Sequence, residues 1–374
     1  MVRRRYHVHA PGLLYLGLVV AVGVVAAQRP SNLLVWVFAA MLAGVLVSGV
    51  LSGWPLMRIA VRRSVPATAS AGEPMLVRYE VTQRSRTWPA FAITVRELPG
   101  GIADACPVPA FVRHVGPGQA VLAETVAWPT ARGPLRFGAF RAETTFPFGL
   151  LRKSVTFEGA AECLVLPRPV ELRPGALRSL VSDGRPGPGT VSRVGPGSDY
   201  VGLREYRPGD AIRSVAWRRS SATGHLTVIE RSVDASPRLH VVLDLRRPTA
   251  ELRLAGGADP RALEEDAIVL AASLLSAGVR EGMESGLTVL GLPGARVRVR
   301  AGRRQLDRAM IALASIDLDA PRDAGDRLAG VDSRDAVLVV HVDRADATIG
   351  GRASVHLTAS QLASLAAEAG EPAP

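Results

Sequence analysis

Two uncharged apolar runs near the amino terminus, Pro11 to Ala27 and Leu33 to Trp54, constrain this chain more than any other feature. As helices rising 1.5 Å per residue, each spans about 25–32 Å, close to the roughly 30 Å hydrocarbon thickness of a bilayer. Only the polar turn Gln28-Arg29-Pro30-Ser31-Asn32 separates them. A cleaved signal peptide would be followed by polar mature sequence, whereas a second span follows here at once. Residues 1–55 are therefore expected to form a transmembrane helical hairpin, with Trp36 and Trp54 at opposite interfaces. Arg3, Arg4 and Arg5 precede it and Arg58, Arg62 and Arg63 follow it, while Arg29 alone lies in the turn. The positive-inside rule then places both ends, and the soluble remainder, in the cytoplasm.

The 374 residues leave room for two or three domains. The net charge of +11 rests on arginine, because Lys153 is the single lysine. Aromatic residues make up only 5% and do not interleave with the basic stretches, so no nucleic-acid partner is expected. Charge of this kind beside a membrane suits anionic lipid headgroups. Cys106 and Cys163 are too few for a disulfide framework and read as reduced thiols, without the Cys/His spacing of a zinc site.

Residues 56–166 read as an all-β sandwich, immunoglobulin-like in outline. Met75–Val81, Phe91–Val95 and Ala120–Trp128 alternate apolar and polar positions between Gly/Pro turns. Phe146-Pro147-Phe148-Gly149-Leu150 is expected to plug that sandwich as a loop. Residues 167–196 read as a linker, since Arg185-Pro-Gly-Pro-Gly189 holds neither helix nor strand. Its glycines lack the Gly-Lys-Ser/Thr ending of a phosphate loop.

Residues 197–374 read as one α/β domain behind a distinctive opening segment. Leu239–Leu245, Gly286–Leu292 and Ala336–Val342 are near-continuous apolar strands of a buried parallel sheet, and Arg296–Arg300 is a short basic strand. Asp259-Pro260 caps a helix, with Glu264, Glu265 and Asp266 favouring its positive end and Ile268, Ala272, Leu275 and Val279 its apolar stripe. Further helices are expected around Leu306–Leu313 and Ser360–Ala369.

The opening segment, Gly195 to Glu230, mixes residue classes most densely. Tyr200, Leu203 and Tyr206 have the spacing of a helical face or compact turn, and Pro208-Gly209-Asp210 signals a tight turn. Arg213, Val215 and Trp217 alternate as a strand would, and Leu226, Val228 and Glu230 continue it. Asp210 is expected to accept from nearby backbone N–H groups or from an arginine such as Arg213, and Trp217 to be mostly buried.

The series Asp199-Tyr200, Leu203-Arg204-Glu205-Tyr206, Pro208-Gly209-Asp210, Arg213, Trp217 and Leu226-x-Val228-x-Glu230 resembles a bacterial family known as domain of unknown function 58. Upstream, Arg132-Gly133-Pro134-Leu135 and Pro147-Phe148-Gly149-Leu150 resemble the same family, although Phe146 stands where an acidic residue is usual. The resemblance implies a von Willebrand factor type A-like domain, two membrane helices and a location in the bacterial inner membrane. It also implies a partner, a MoxR-type AAA+ ATPase encoded nearby. In type A domains the first strand ends in Asp-x-Ser-x-Ser and binds a divalent cation. Here Asp244 is followed by Arg246 and Pro248, so the resemblance implies a degenerate metal site, with the guanidinium free to pair with Asp244.

Asp199, Glu205 and Asp210 lie near Arg204 and Arg213 with no nucleophile and base evident, and His225 and His240 look isolated. The expectation is a non-enzymatic interaction protein, without cofactor, that presents this segment to the ATPase in assembly or maturation of envelope or other complexes. A membrane-surface enzyme using those carboxylates and a cation-binding adhesion module are the alternatives.

Overall fold

The two apolar runs fold as helices α1 (Ala10–Gln28) and α2 (Asn32–Leu56), which pack as a hairpin with the Tyr15 hydroxyl donating to the Met41 carbonyl at 3.2 Å. Both are long and apolar enough to cross a membrane, and only 11% and 6% of their most apolar windows are buried. Trp36 is 75% exposed. Such surface is costly in water, where contiguous apolar patches are rare.

The structure is a computed structural model that describes residues 3–8, 10–28, 31–98, 106, 108–183, 193–233, 237–252, 259–292, 296–332, 334–349 and 354–367. The side chains of 3–8, 10, 50–55, 183, 193–201 and 230–233, Trp54 among them, lie outside the described set. The chain divides into two units, Met1–Pro167 and Arg168–Pro374.

In the first unit, β1 (Arg3–Val8) precedes the hairpin. After it come β2 (Ile59–Ser64), β3 (Thr68–Ser70), β4 (Met75–Gln83), β5 (Ala90–Glu97) and β6 (Ala110–Val115). Then follow β7 (Ala120–Ala127), β8 (Gly133–Phe137), β9 (Phe140–Thr144), β10 (Leu151–Phe157) and β11 (Ala161–Leu166). They form sheets ordered β1-β10-β9-β5-β6, β2-β4-β7 and β3-β11-β8, antiparallel except for β3 with β11. Alternation does the folding. Along β4, Val77, Tyr79 and Val81 are buried while Leu76, Arg78 and Glu80 are exposed, so one face joins a core that also takes Ile93, Val95, Phe137 and Cys163.

Two side chains stand out. First, Arg63 is buried against Glu97, which takes both bonds from one guanidinium nitrogen at 2.8 and 2.6 Å. Tyr79 donates to the same carboxylate at 2.5 Å, and the guanidinium lies 5.0 Å from the Phe137 and Phe140 ring centres. A charge placed on a strand whose face turns inward must be paired there. Second, Phe148 is 58% exposed rather than a plug, while Phe146 stacks on Phe91 at 4.8 Å and Leu150 is buried.

In the second unit the expected linker differs at its start. Helix α3 (Ala176–Asp183) buries Leu177 and Val181, four residues apart on one face. The Pro/Gly core of that linker, 184–192, lies outside the described residues. Strands β12 (Arg193–Glu205) and β13 (Thr227–Val233) pair antiparallel, with helix α4 (Trp217–Thr223) between them. The main sheet runs β16-β15-β14-β17-β18, from β14 (Arg238–Asp244), β15 (Glu284–Leu290), β16 (Arg296–Arg300), β17 (Asp335–His341) and β18 (Ser354–Thr358). All of its pairings are parallel except that of β16 at the edge.

Helix α5 (Pro260–Arg280) starts as expected, with Asp259 accepting from the Arg261 N–H and Pro260 in the first turn. It lies on one face of the sheet, where a Cβ at Gly278 would sit 2.7 Å from Leu239. Helix α6 (Arg303–Ala314) follows β16. The expected terminal helix shrinks to a 3-10 turn and the short α7 (Leu362–Leu365). Glu264 does more than favour the helix dipole: its side chain is fully buried, accepting from Arg322 at 3.0 Å and from Thr249 at 3.1 and 3.0 Å.

Candidate functional site

The segment between β12 and β13 is built outward from a backbone pair. Leu203 lies opposite Ile229 and Glu205 opposite Thr227, and the Tyr206 N–H donates to the Leu226 carbonyl at 2.9 Å, so residues 206–226 leave and return at one point. Pro208-Gly209-Asp210 makes the expected turn, with Gly209 at φ +106°, a conformation that favours glycine. Asp210 closes it by accepting from the Arg207 N–H at 2.8 Å.

The arginine that meets Asp210 is Arg204. Two terminal nitrogens of Arg204 reach the two carboxylate oxygens at 2.7 and 2.6 Å. This bidentate fork and the Arg207 N–H hold the carboxyl down to about 2. Arg213 is exposed, in a 3-10 turn over Ile212–Ser214.

The strand expected through Arg213 and Trp217 is replaced by that turn and by α4, which ends on Gly224 at φ +74°. Alternation stops at Trp217, where Arg218-Arg219-Ser220-Ser221 follow, and Ser220 Oγ accepts the Thr227 N–H at 2.9 Å to lock the helix onto β13. Trp217 is consequently 60% exposed, a correction to the expected burial. Ile212 is 67% exposed, and Leu203 and Leu226 also stand out, whereas Val215 and Val228 turn inward. Tyr206 is half-buried and Pro208 exposed. Asp199 and Tyr200 lie in β12, their side chains outside the described set.

A second cluster sits where β14 and β17 end. Asp244 and His341 are register partners. Asp244 is saturated: Oδ1 takes Arg246 Nε at 2.9 Å, and Oδ2 takes His341 Nδ1 at 3.1 Å and an Arg246 terminal nitrogen at 3.3 Å. Burial opposes its charge, but the His341 and Arg246 bonds outweigh burial and hold the carboxyl well below the usual range. Arg246 reaches on to Asp346 at 2.9 Å, and Arg247 pairs with Asp343 at 2.8 Å. Gly291 permits this arrangement, since a Cβ there would lie 2.5 Å from the Arg246 Cα. Pro248 opens a 3-10 turn and offers the crest no hydroxyl. No group of three or more His, Cys, Asp or Glu is arranged to hold a metal ion among the described residues.

Sequence reasoning missed what lies beyond Asp244. His341 Nε2 meets His356 Nδ1 at 2.9 Å, and His356 Nε2 meets Ser354 Oγ at 2.9 Å. Donors fit one direction along this series. His341 Nδ1–H donates to the ionised Asp244, His341 Nε2 accepts from His356 and from the Asp346 N–H at 3.4 Å, and His356 Nε2 accepts the Ser354 hydroxyl. A proton added at His356 Nε2 reverses only the last link: Ser354 then receives from His356 and donates to the Ile349 carbonyl, 3.1 Å away. The only signal in the sequence was a histidine ending an apolar strand, with a second one two residues into the next.

Residues 202–362 match the family model described as a protein of unknown function, DUF58. No curated protein matches the chain.

Proposed function

We propose that this chain, which carries a DUF58 region over residues 202–362, is a membrane-anchored interaction protein that presents residues 203–226 to a partner ATPase. The observation that carries the reading is Trp217, 60% exposed together with Ile212 on a segment braced by the Arg204–Asp210 fork. Exposed Trp and Arg on a rigid support are the side chains that dominate protein–protein binding energy. Arg207, Arg213, Arg218 and Arg219 on the same segment favour an acidic partner surface. By family resemblance that partner is a MoxR-type AAA+ ATPase, and the process is assembly or maturation of envelope or other complexes.

The finer architecture belongs to the same proposal. The three sheets of the first unit are taken as an immunoglobulin-like sandwich. The β14–β18 sheet is taken as a type A-like domain whose cation site at Asp244, Arg246 and Pro248 has become an ion pair. The hairpin is taken to cross the inner membrane twice, with both units in the cytoplasm.

Full-length protein in detergent, incubated with a MoxR-type AAA+ ATPase from the same genome, tests this reading. ATP-dependent co-purification that Trp217→Ala and Ile212→Ser abolish is the expected result. Capture indifferent to both substitutions would remove the segment from the interface.

A second reading, an enzyme, draws on Ser354, whose hydroxyl meets a histidine backed by another histidine and Asp244. Its test is ester hydrolysis lost in Ser354→Ala. The signature carboxylate Asp210 suits proton transfer near neutral pH poorly, because its fork with Arg204 holds it ionised.

A further inference from the structure

On the sheet face opposite α5, a cleft of about 650 Å³ opens beside the edge strand β16. A volume of that size suits a small molecule. Its floor is polar and its hydrogen bonds are incomplete. His240 is 5% exposed; Nε2 meets Thr288 Oγ1 at 2.9 Å, but buried Nδ1 makes no hydrogen bond and stands 3.6 Å from Asp335 Oδ2. Asp335 Oδ1 is also buried without a hydrogen bond, since Arg238 Nε approaches to 3.0 Å at an angle that makes none. Buried polar atoms in native structures are seldom left so, and those that are need an explanation.

The rim is cationic, and its charge is only partly paired. Arg238 is shared among Asp335, Asp332 at 3.0 Å and Glu284 at 3.6 Å. Arg298 and Arg300, exposed and two residues apart on β16, have no carboxylate partner among the described residues. The valines between and beside them are half-buried and supply the apolar wall.

We propose that this cleft binds a small phosphorylated polyol, its phosphoryl group on Arg298 and Arg300 and a hydroxyl donating to Asp335. Guanidinium forks match phosphate geometry, and they are charged at every physiological pH. The phosphate alone would leave the floor unsatisfied. A hydroxyl donor completes Asp335 Oδ1, in the way acidic residues hold ribose in dinucleotide sites. None of its lining residues belongs to the segment 203–226, so it does not depend on the ATPase reading.

Calorimetry on the full chain in neutral-lipid nanodiscs, with ribose 5-phosphate, inorganic phosphate and ribose as probes, tests this. Ribose 5-phosphate should bind saturably, roughly tenfold tighter than inorganic phosphate, and ribose should give no isotherm. Arg298→Ala with Arg300→Ala should lower the affinity for ribose 5-phosphate about tenfold or more with an unchanged melting temperature, because both side chains are exposed. Asp335→Asn should reduce ribose 5-phosphate to the affinity of inorganic phosphate; where that variant fails to fold, Thr288→Val should weaken the sugar phosphate alone. Three results overturn the proposal: no heat with ribose 5-phosphate at roughly 10 mM, equal affinity for the sugar phosphate and inorganic phosphate (an adventitious ion only), or binding unchanged in the double arginine variant.

Discussion

Arg204 and Asp210 face each other through two parallel N–H···O contacts of 2.7 and 2.6 Å, and this fork closes the base of the segment that carries Trp217. Its two side chains are partly exposed, so its effect is local rather than global. In Arg204→Ala, backbone amides from Tyr206 to Ser214 should exchange with deuterium faster, capture of the ATPase should weaken, and the melting temperature should barely move. Arg204→Lys should rescue poorly, because an ammonium cannot form the fork. Unchanged exchange in Arg204→Ala would show that the fork braces nothing.

Trp217→Ala should cost under about 1 kcal/mol of stability, as surface substitutions do. A buried ring would cost about 3–5 kcal/mol. Chemical denaturation distinguishes the two, and a cost in the higher range would mean that the ring packs inward in solution.

Arg63 and Glu97 are the opposite case, an ion pair with 3% and 2% of its side chains exposed. Glu97→Gln strands a guanidinium in the core and should cost about 3–5 kcal/mol. Arg63→Met combined with Glu97→Leu should recover most of that loss. If the double variant is no more stable than the single one, the pair matters through its bonds to the Gly138 and Gly159 carbonyls and to Tyr79.

Stability should fall as pH drops from 7 towards 5. Burial, and then the neighbouring His341, lower the His356 value, and burial lowers that of His240. The unfolded chain, titrating near about 6.5, therefore binds more protons than the folded one, and the slope of stability with pH is positive. His356→Gln should flatten that slope. A second fall belongs further down: Asp210, held down to about 2, and Asp244, held lower still, lose their contribution only as pH falls below about 4. A curve flat between pH 7 and 5 would contradict the first part.

Membrane topology is read by labelling. An impermeant maleimide added outside intact cells should reach Ser31→Cys in the hairpin turn and leave Thr87→Cys unmodified until the membrane is opened. Labelling of Thr87→Cys in intact cells reverses the orientation.

Much of the fold was legible because one-dimensional patterns decide it. The apolar runs of α1 and α2, the alternation of β4 and the Asp259-Pro260 start of α5 are local signals, and each element forms where its pattern lies. The Asp244–Arg246 pair was legible too, since residues two apart at the end of a strand lie within reach of each other. Trp217 misled because Arg213, Val215 and Trp217 imitate a strand over five residues, while the helix is decided by Gly224 and by Ser220 reaching Thr227. Arg63, His341, His356 and the Arg238–Asp335 floor were illegible for a different reason. Their partners lie on other strands, and register across a sheet is not written in either strand alone.

The pairing of β1 with β10 sets an order of events during synthesis. Thr156, the partner of Arg3, is made 153 residues after it. At roughly 5–20 residues per second the ribosome needs about 8–30 s to cover that distance. Both apolar helices are made in the interval, so the hairpin is complete while residues 3–8 still have no partner strand. The β1–β10 hydrogen bonds then close a loop that already contains both apolar helices. A stall in translation before Leu151 would leave the helical hairpin made and that sheet unfinished, and such a chain presents an unpaired strand to its neighbours.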